Sequence, residues 1–398
     1  VSVGIDEYQE IAYAVYEDGN IDFISISDGK PIKRHSIKDV NGSTITAVCN
    51  DKGRSVMGTK DGRILSVNIG FSVSFENDDR IITPEIDDEE IVFTNEEEIA
   101  IQHIASNSDE GVSVTVFYTE GGRLILKSTE IEETLFGGEE KIEAITDITA
   151  MLATHAQTTS DKLAEQERNL QVTSLAIDYF TENLYVGTAH GEVIHINVRD
   201  RENPLLLERI KVSDESVTSL DFLLGDVSLI VGDEGGKIST WMRVRDETAQ
   251  SGWSLKKIHT VEPHQTDITA IASSPRNKCF VTAASDGTIQ LKHATSEQTL
   301  LNMKSVTMPT AIAYSPKADG ILVADSSGTL THWTISNPHP ETTIKTLLGK
   351  VWYEGYEEPE YVWQSTGGSD DFEPKFSLVP LIFGTIKGTI YALIIAIP

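Results

Sequence analysis

Few residues in this chain have the types and spacing that chemistry needs. His190 and His195 lie five apart in one expected hairpin. Side chains alternate faces along a strand, so an odd spacing sends the two imidazoles to opposite sides and makes them poor joint metal ligands. The remaining histidines are scattered without a metal spacing. The run Gly232-Asp-Glu-Gly-Gly-Lys237 has the composition of a phosphate cradle. Its glycine spacing is wrong for one and it leads into a strand, so it reads as a hairpin turn. No serine sits in a nucleophile elbow. Cys49 and Cys279 occupy apolar, strand-like runs and read as buried thiols packing as small hydrophobes. A disulfide would require them on adjacent strands, and two cysteines make no zinc site. The acidic pairs Glu139-Glu140, Glu357-Glu358 and Asp370-Asp371 read as solvated surface, with a weak divalent-cation site as the alternative. No catalytic, cofactor-binding, metal or ligand-binding residue is assigned, and no cofactor is expected.

Charge narrows the partners. The 398 residues include 62 acids against 32 bases, a formal charge of −30. A nucleic-acid binder gains affinity by neutralising phosphates, and this surface repels them, as it repels anionic lipid. A hydrophobic fraction of 39% with 29 glycines describes a folded, turn-rich chain.

The elements come from a repeat. Seven times, a short apolar strand meets a Gly-containing turn and continues into an alternating strand. The turns are Asp18-Gly19-Asn20, Asp61-Gly62-Arg63, Gly121-Gly122-Arg123, His190-Gly191-Glu192, Gly235-Gly236-Lys237, Asp286-Gly287-Thr288 and Ser327-Gly328-Thr329. A tight hairpin needs positive φ, which glycine adopts most cheaply. The turn glycines are spaced 43, 60, 69, 45, 51 and 41 residues apart. Four of these spacings suit a four-stranded propeller blade of ~40–50 residues, and the two long ones imply insertions. The expected fold is all-β, a seven-bladed β-propeller over residues 1–350. An all-β sandwich or two smaller β domains is the alternative. His264–His293 resembles a degenerate WD40-type repeat, with a His before the first strand, Ser274-Pro275 after it and Asp286-Gly287-Thr288-Ile289 at the hairpin. The Trp-Asp pair that ends such a repeat is missing, and Trp241 and Trp333 hold the nearest positions without the Asp.

Two insertions and a tail lie outside the repeat. Residues 72–96 are acidic and are expected to form a solvated loop. Residues 149–170 include Thr158–Asn169, whose composition favours a short helix outside the blades. Residues 351–375 hold Trp352, Tyr353, Tyr356, Tyr361, Trp363 and Phe372 among acids, with Pro359, Pro374 and Gly367-Gly368, and read as an extended acidic, aromatic linker. Residues 376–398 carry one charge, Lys387, and approach the ~20 residues that cross a bilayer. Either 376–385 lies on the membrane surface with a span starting at Gly388, or the run is the buried end of a soluble protein. Gly384 and Gly388 are small residues four apart, a spacing that permits close helix contact. Both chain ends look cut from a longer polypeptide.

The segment Phe376-Ser-Leu-Val-Pro-Leu-Ile-Phe-Gly-Thr-Ile-Lys-Gly-Thr-Ile-Tyr-Ala-Leu-Ile-Ile-Ala-Ile-Pro398 resembles the start of the permease core of PstC-type phosphate ABC transporters. Trp363-Gln-Ser-Thr-Gly-Gly and Phe372-Glu-Pro-Lys-Phe are similar to long members with a large domain between their first two membrane helices. The resemblance implies an accessory domain without chemistry of its own, on the periplasmic face of the bacterial inner membrane. It would dock or regulate the phosphate-binding protein and meet other transporter subunits; neither nucleic acid nor a cofactor is implied. A closed ring is expected to bring both chain ends to one membrane face. A soluble WD40-like scaffold and a propeller enzyme with a metal in its channel are the rival readings.

Overall fold

The structure, a computed structural model, describes residues 1–397 except 52, 78, 96, 134–138, 154–170, 250, 337–338 and 370. Its strands form seven antiparallel meanders, each strand pairing with the next along the chain. These are blades 1 (2–36), 2 (45–94), 3 (101–147), 4 (172–211), 5 (217–261), 6 (268–304) and 7 (309–334). Six blades have four strands, here called a to d outward from the ring axis, and blade 7 has three. The a strands pack side by side, and that of blade 7 (Pro309–Tyr314) lies against that of blade 1 (Ser2–Ile5), which closes the ring. The expected seven-bladed β-propeller is the fold.

The seven hairpin glycines sit in the b–c turns with φ between +71° and +87°. Between blades, apolar side chains of facing sheets interlock, so every junction has its own core. Phe23 and Met57 fill the junction of blades 1 and 2, Val116 and Leu184 that of blades 3 and 4, and Phe280 and Ile230 that of blades 5 and 6. The closing junction is built from smaller residues, Val3, Ala12, Ala14 and Ala311. Burying a side chain the size of Phe280 stabilises the ring by ~2–3 kcal/mol.

Five a strands carry a threonine at a β-bulge: Thr46, Thr173, Thr218, Thr269 and Thr310 each fall where the register to strand b shifts. A bulge leaves one residue out of the ladder. Each threonine hydroxyl donates to a backbone carbonyl, as Thr269 does to Ala283 at 3.3 Å and Thr310 to Ala324 at 3.3 Å.

Three expectations need correction. Residues 72–96 are not a loop: strands Arg63–Glu76 and Asp79–Thr94 extend blade 2 as one long hairpin, paired out to Glu76 and Asp79. Its acids occupy exposed strand positions, while Phe71, Ile82 and Ile86 pack onto the core between blades 1 and 2. The terminal run is neither buried nor begun at Gly388. It is one helix, Val379–Ala396, with no buried residue. Thr385 and Thr389 do not interrupt it, because their hydroxyls donate to the carbonyls of Leu381 and Thr385, each at 2.9 Å. Finally, the two chain ends do not share a face. The Val1 amino group donates to Val15 O beside a b–c turn, whereas the terminal helix leaves from the a–b end. Of the 149–170 insertion, Thr149–Ala153 is helical, and the expected helix Thr158–Asn169 lies outside the described residues.

Candidate interaction surface

The ring offers two end surfaces built from different parts of the repeat. At the b–c end, each glycine turn is pressed by the d–a loop of the next junction. A Cβ on Gly191 would lie 2.2 Å from Ser213 O. Aspartates cap these turns: Lys237 N–H donates to Asp233 Oδ1 at 2.8 Å, Thr288 N–H to Asp286 Oδ1 at 2.8 Å and Thr329 N–H to Asp325 Oδ1 at 3.1 Å. The Ser327 hydroxyl and nearby N–H groups hold Asp325 down to about 2. Burial alone would raise Asp61, but hydrogen bonds from Arg63, Thr59 and Ser43 bring it down to about 2. These carboxylates are ionised at neutral pH and committed to their own backbone. A cleft of about 570 Å³ opens at this end, lined by Ser2, Tyr16, Asp18, Thr46, Thr310 and Asp325. It presents fixed negative charge and hydrogen-bonding groups around a shallow mouth, which suits a polar or cationic protein surface.

The a–b end is partly occupied by the chain's own tail. The segment 339–377 is extended in backbone, as its prolines and glycines require, and runs under blades 5 and 6. Val351 and Tyr353 are buried, and Trp352 packs on Met242, Val244 and Ile258. The Trp352 carbonyl accepts from His259 Nε2 at 2.9 Å. Lys278, buried at the start of blade 6, donates to both Leu224 O and the Glu354 carboxylate. Glu373 is driven furthest inside. Its Oε2 accepts from Thr295 Oγ1 at 2.8 Å, its Oε1 lies 3.5 Å from His293 Nε2, and burial pushes its carboxyl up to about 7. Burial also depresses His293 to about 3, so this imidazole is neutral. Lys375 rests over the Phe372 ring at 4.7 Å. The short helix Ile344–Leu348 finishes the clamp: Thr343 caps it, Lys345 pairs with Glu297, and Leu347 O accepts from Leu378 N–H at 2.8 Å at the threshold of the terminal helix.

The residues singled out by their types separate widely. His190 is exposed in a turn, while His195 is buried, stacked on Tyr185 at 4.5 Å and bonded through Nε2 to Asn183 Oδ1 at 2.9 Å. Gly232–Lys237 forms a hairpin around Gly236. Cys49 and Cys279 are free thiols in blades 2 and 6, raised by burial to about 11 and about 12. Glu140, Glu357 and Glu358 are exposed; Asp370 lies outside the described residues. Among the described residues, no three His, Cys, Asp or Glu side chains converge as metal ligands.

Sequence reasoning missed the tail clamp. Its available signals were Lys278 and Lys292, two charges inside strongly apolar strand patterns. Lys292 is fully buried, donates to Glu262 O at 2.7 Å, and is lowered by burial to about 8. In the same blade His264 Nε2 meets Thr282 Oγ1 at 2.8 Å, a buried polar contact behind the recognised repeat.

The WD domain, G-beta repeat family model matches residues 255–291, the end of blade 5 and most of blade 6. No relative with a curated description matches the chain. Solved structures share its fold. The β-propeller domain of Cps50 (Swd1) from Myceliophteria thermophila is 11% identical, with a TM-score of 0.56 over 84% of this chain and 97% of that one. A chain of the Mitotic Checkpoint Complex is 11% identical, with a TM-score of 0.52 over 84% of this chain and 90% of that one. The computationally designed Ika8 protein is 18% identical, with a TM-score of 0.52 over 84% of this chain and 95% of that one. At these identities the similarity concerns the fold.

Proposed function

We propose that this chain is a protein-interaction propeller, without chemistry of its own, mounted on a membrane by its terminal helix. The observation that carries the reading is Val379–Ala396, 18 apolar-rich residues exposed on every side, leaving from the end opposite the open b–c surface. At 1.5 Å per residue such a helix is ~27 Å long, close to the ~30 Å hydrocarbon core of a bilayer. In water an exposed apolar helix of this size has no compensation for its hydration, whereas lipid supplies it. Trp363 and Tyr361 stand half-exposed just before the helix, where amphipathic rings favour the headgroup region. The tail clamp then fixes the ring relative to the membrane, with the a–b end inward and the b–c end outward. The charge of −30 keeps the ring from lying flat on anionic lipid.

The tail sequence supports a narrower identity. Its likeness to PstC-type phosphate permeases points to an extracytoplasmic domain on the periplasmic face of the inner membrane. There the b–c end docks the phosphate-binding protein or regulates its access to the pore. Titrating this protein with the phosphate-binding protein tests the docking directly. Saturable association, weakened by Glu120→Lys and Glu234→Lys on the exposed rim, is expected; no association at high micromolar concentration would overturn it.

A further inference from the structure

Blade 7 ends one strand short. Strands Pro309–Tyr314, Gly320–Asp325 and Leu330–Thr334 form its sheet, and no fourth strand follows among the described residues. The chain instead turns away after Ile335 towards blade 6. The consequence is visible in strand c. Its counterpart in blade 6 is buried from Ile289 to His293, while Leu330–Trp333 are half-buried and Thr334 is exposed. The hydrogen-bond register identifies the orphaned groups. Ile335 N–H donates to Asp319 O and Asp325 N–H to Thr329 O, so residues 331, 333 and 335 face strand b. Alternation then turns the N–H and C=O groups of Leu330, His332 and Thr334 outward. In blade 6 the matching positions, Ile289 and Leu291, pair with Met303 and Leu301 of strand d. An open edge of this kind is a template for one more strand.

The ring topology says where that strand comes from. In every other blade, strand d leads into strand a of the next blade. At five of the six junctions the connection takes four to eight residues, from 305–308 at the shortest to 37–44 at the longest. Strand a of blade 1 begins at Ser2, against strand a of blade 7, at the b–c end where such connections run. We propose that blade 7 is completed by an extended segment of about six residues, joined to the amino side of Val1 by a turn of that length. Its side chains opposite Leu330 and His332 face blade 1 and are apolar, as Met303 and Leu301 are in blade 6. Being antiparallel to Leu330–Thr334, it starts at the a–b end. The chain entering the ring and the helix leaving it therefore come to the same end, as attachment to one membrane at two points requires. The strand is argued from the sheet edge alone, and only this last consequence rests on the membrane reading above.

Hydrogen exchange resolved to single amides tests the strand. In the 398-residue protein the His332 amide exchanges freely while the equivalent Leu291 amide is protected. In the polypeptide carrying its natural upstream residues, His332 exchange slows by about a thousandfold, and a proline at the centre of the upstream segment restores fast exchange. Three results would overturn the proposal: protection of His332 in the 398-residue protein at all concentrations, protection appearing only as concentration rises, or no protection with the upstream chain present. The first assigns the edge to the chain's own tail, the second to a second copy. Failure of membrane binding would leave all of these readouts unchanged.

Discussion

The tail clamp makes docking of residues 351–377 sensitive to pH through Glu373. Its side chain is 9% exposed and its carboxyl is raised by burial from 4.5 to about 7, against the Thr295 hydrogen bond that lowers it. The undocked tail leaves this carboxyl in water near its ordinary value. Below 4.5 both states are protonated and docking is strongest. As the pH rises towards 7, the free tail ionises while the docked one still holds its proton, so docking weakens. Above 7 the loss is complete, and the difference amounts to about 3 kcal/mol, or roughly a hundredfold in the docking constant. The groups facing Glu373 are His293, neutral across this window, with Thr295, Lys278, Glu354 and Lys375. Glu373→Gln keeps the shape and the Thr295 contact while removing the titration. Exchange of the 371–377 amides, followed from pH 5 to 8 and corrected for intrinsic rates, should accelerate in the native protein and stay level in the variant. A native profile without a pH response, or a variant with the native response, would refute the reasoning.

Two further predictions concern the ring. Phe280→Ala empties a fully buried site at the junction of blades 5 and 6 and should cost ~3–5 kcal/mol in urea unfolding. Gly328→Ala strains only a positive φ of +80° with open space around it, and should cost ~1 kcal/mol. Gly191→Ala adds a Cβ 2.2 Å from Ser213 O and should cost at least twice as much as Gly328→Ala in the same assay.

The ring was legible because its signals are local. Gly19, Gly62 and Gly287 mark turns that need positive φ, and Phe280–Ala284 or Ile289–His293 read as strands from their own residues. The long blade 2 hairpin was hidden by Asp87, Asp88, Glu89 and Glu90. Acids on the solvent face of a strand look like the acids of a loop when no partner strand is known. The tail clamp was hidden by distance. Lys278 meets Glu354 76 positions away, and Thr295 meets Glu373 78 positions away. No periodicity links such pairs, and an isolated glutamate beside a proline has the same local pattern whether solvated or buried. The terminal helix was legible in length and composition. Its continuity through Gly384 and Gly388 was not, because the threonine hydroxyls that satisfy its backbone carbonyls are contacts only a formed helix makes.

The central claim is that the helix Val379–Ala396 holds this acidic ring on a bilayer. Flotation with zwitterionic phosphatidylcholine vesicles tests it most directly, since such lipid neither attracts nor repels the ring's charge. The 398-residue protein should rise with the vesicles at both low and high salt, and a chain ending at Ser377 should stay at the bottom as a folded ring. A full chain that remains monomeric and soluble beneath the vesicles would contradict the account.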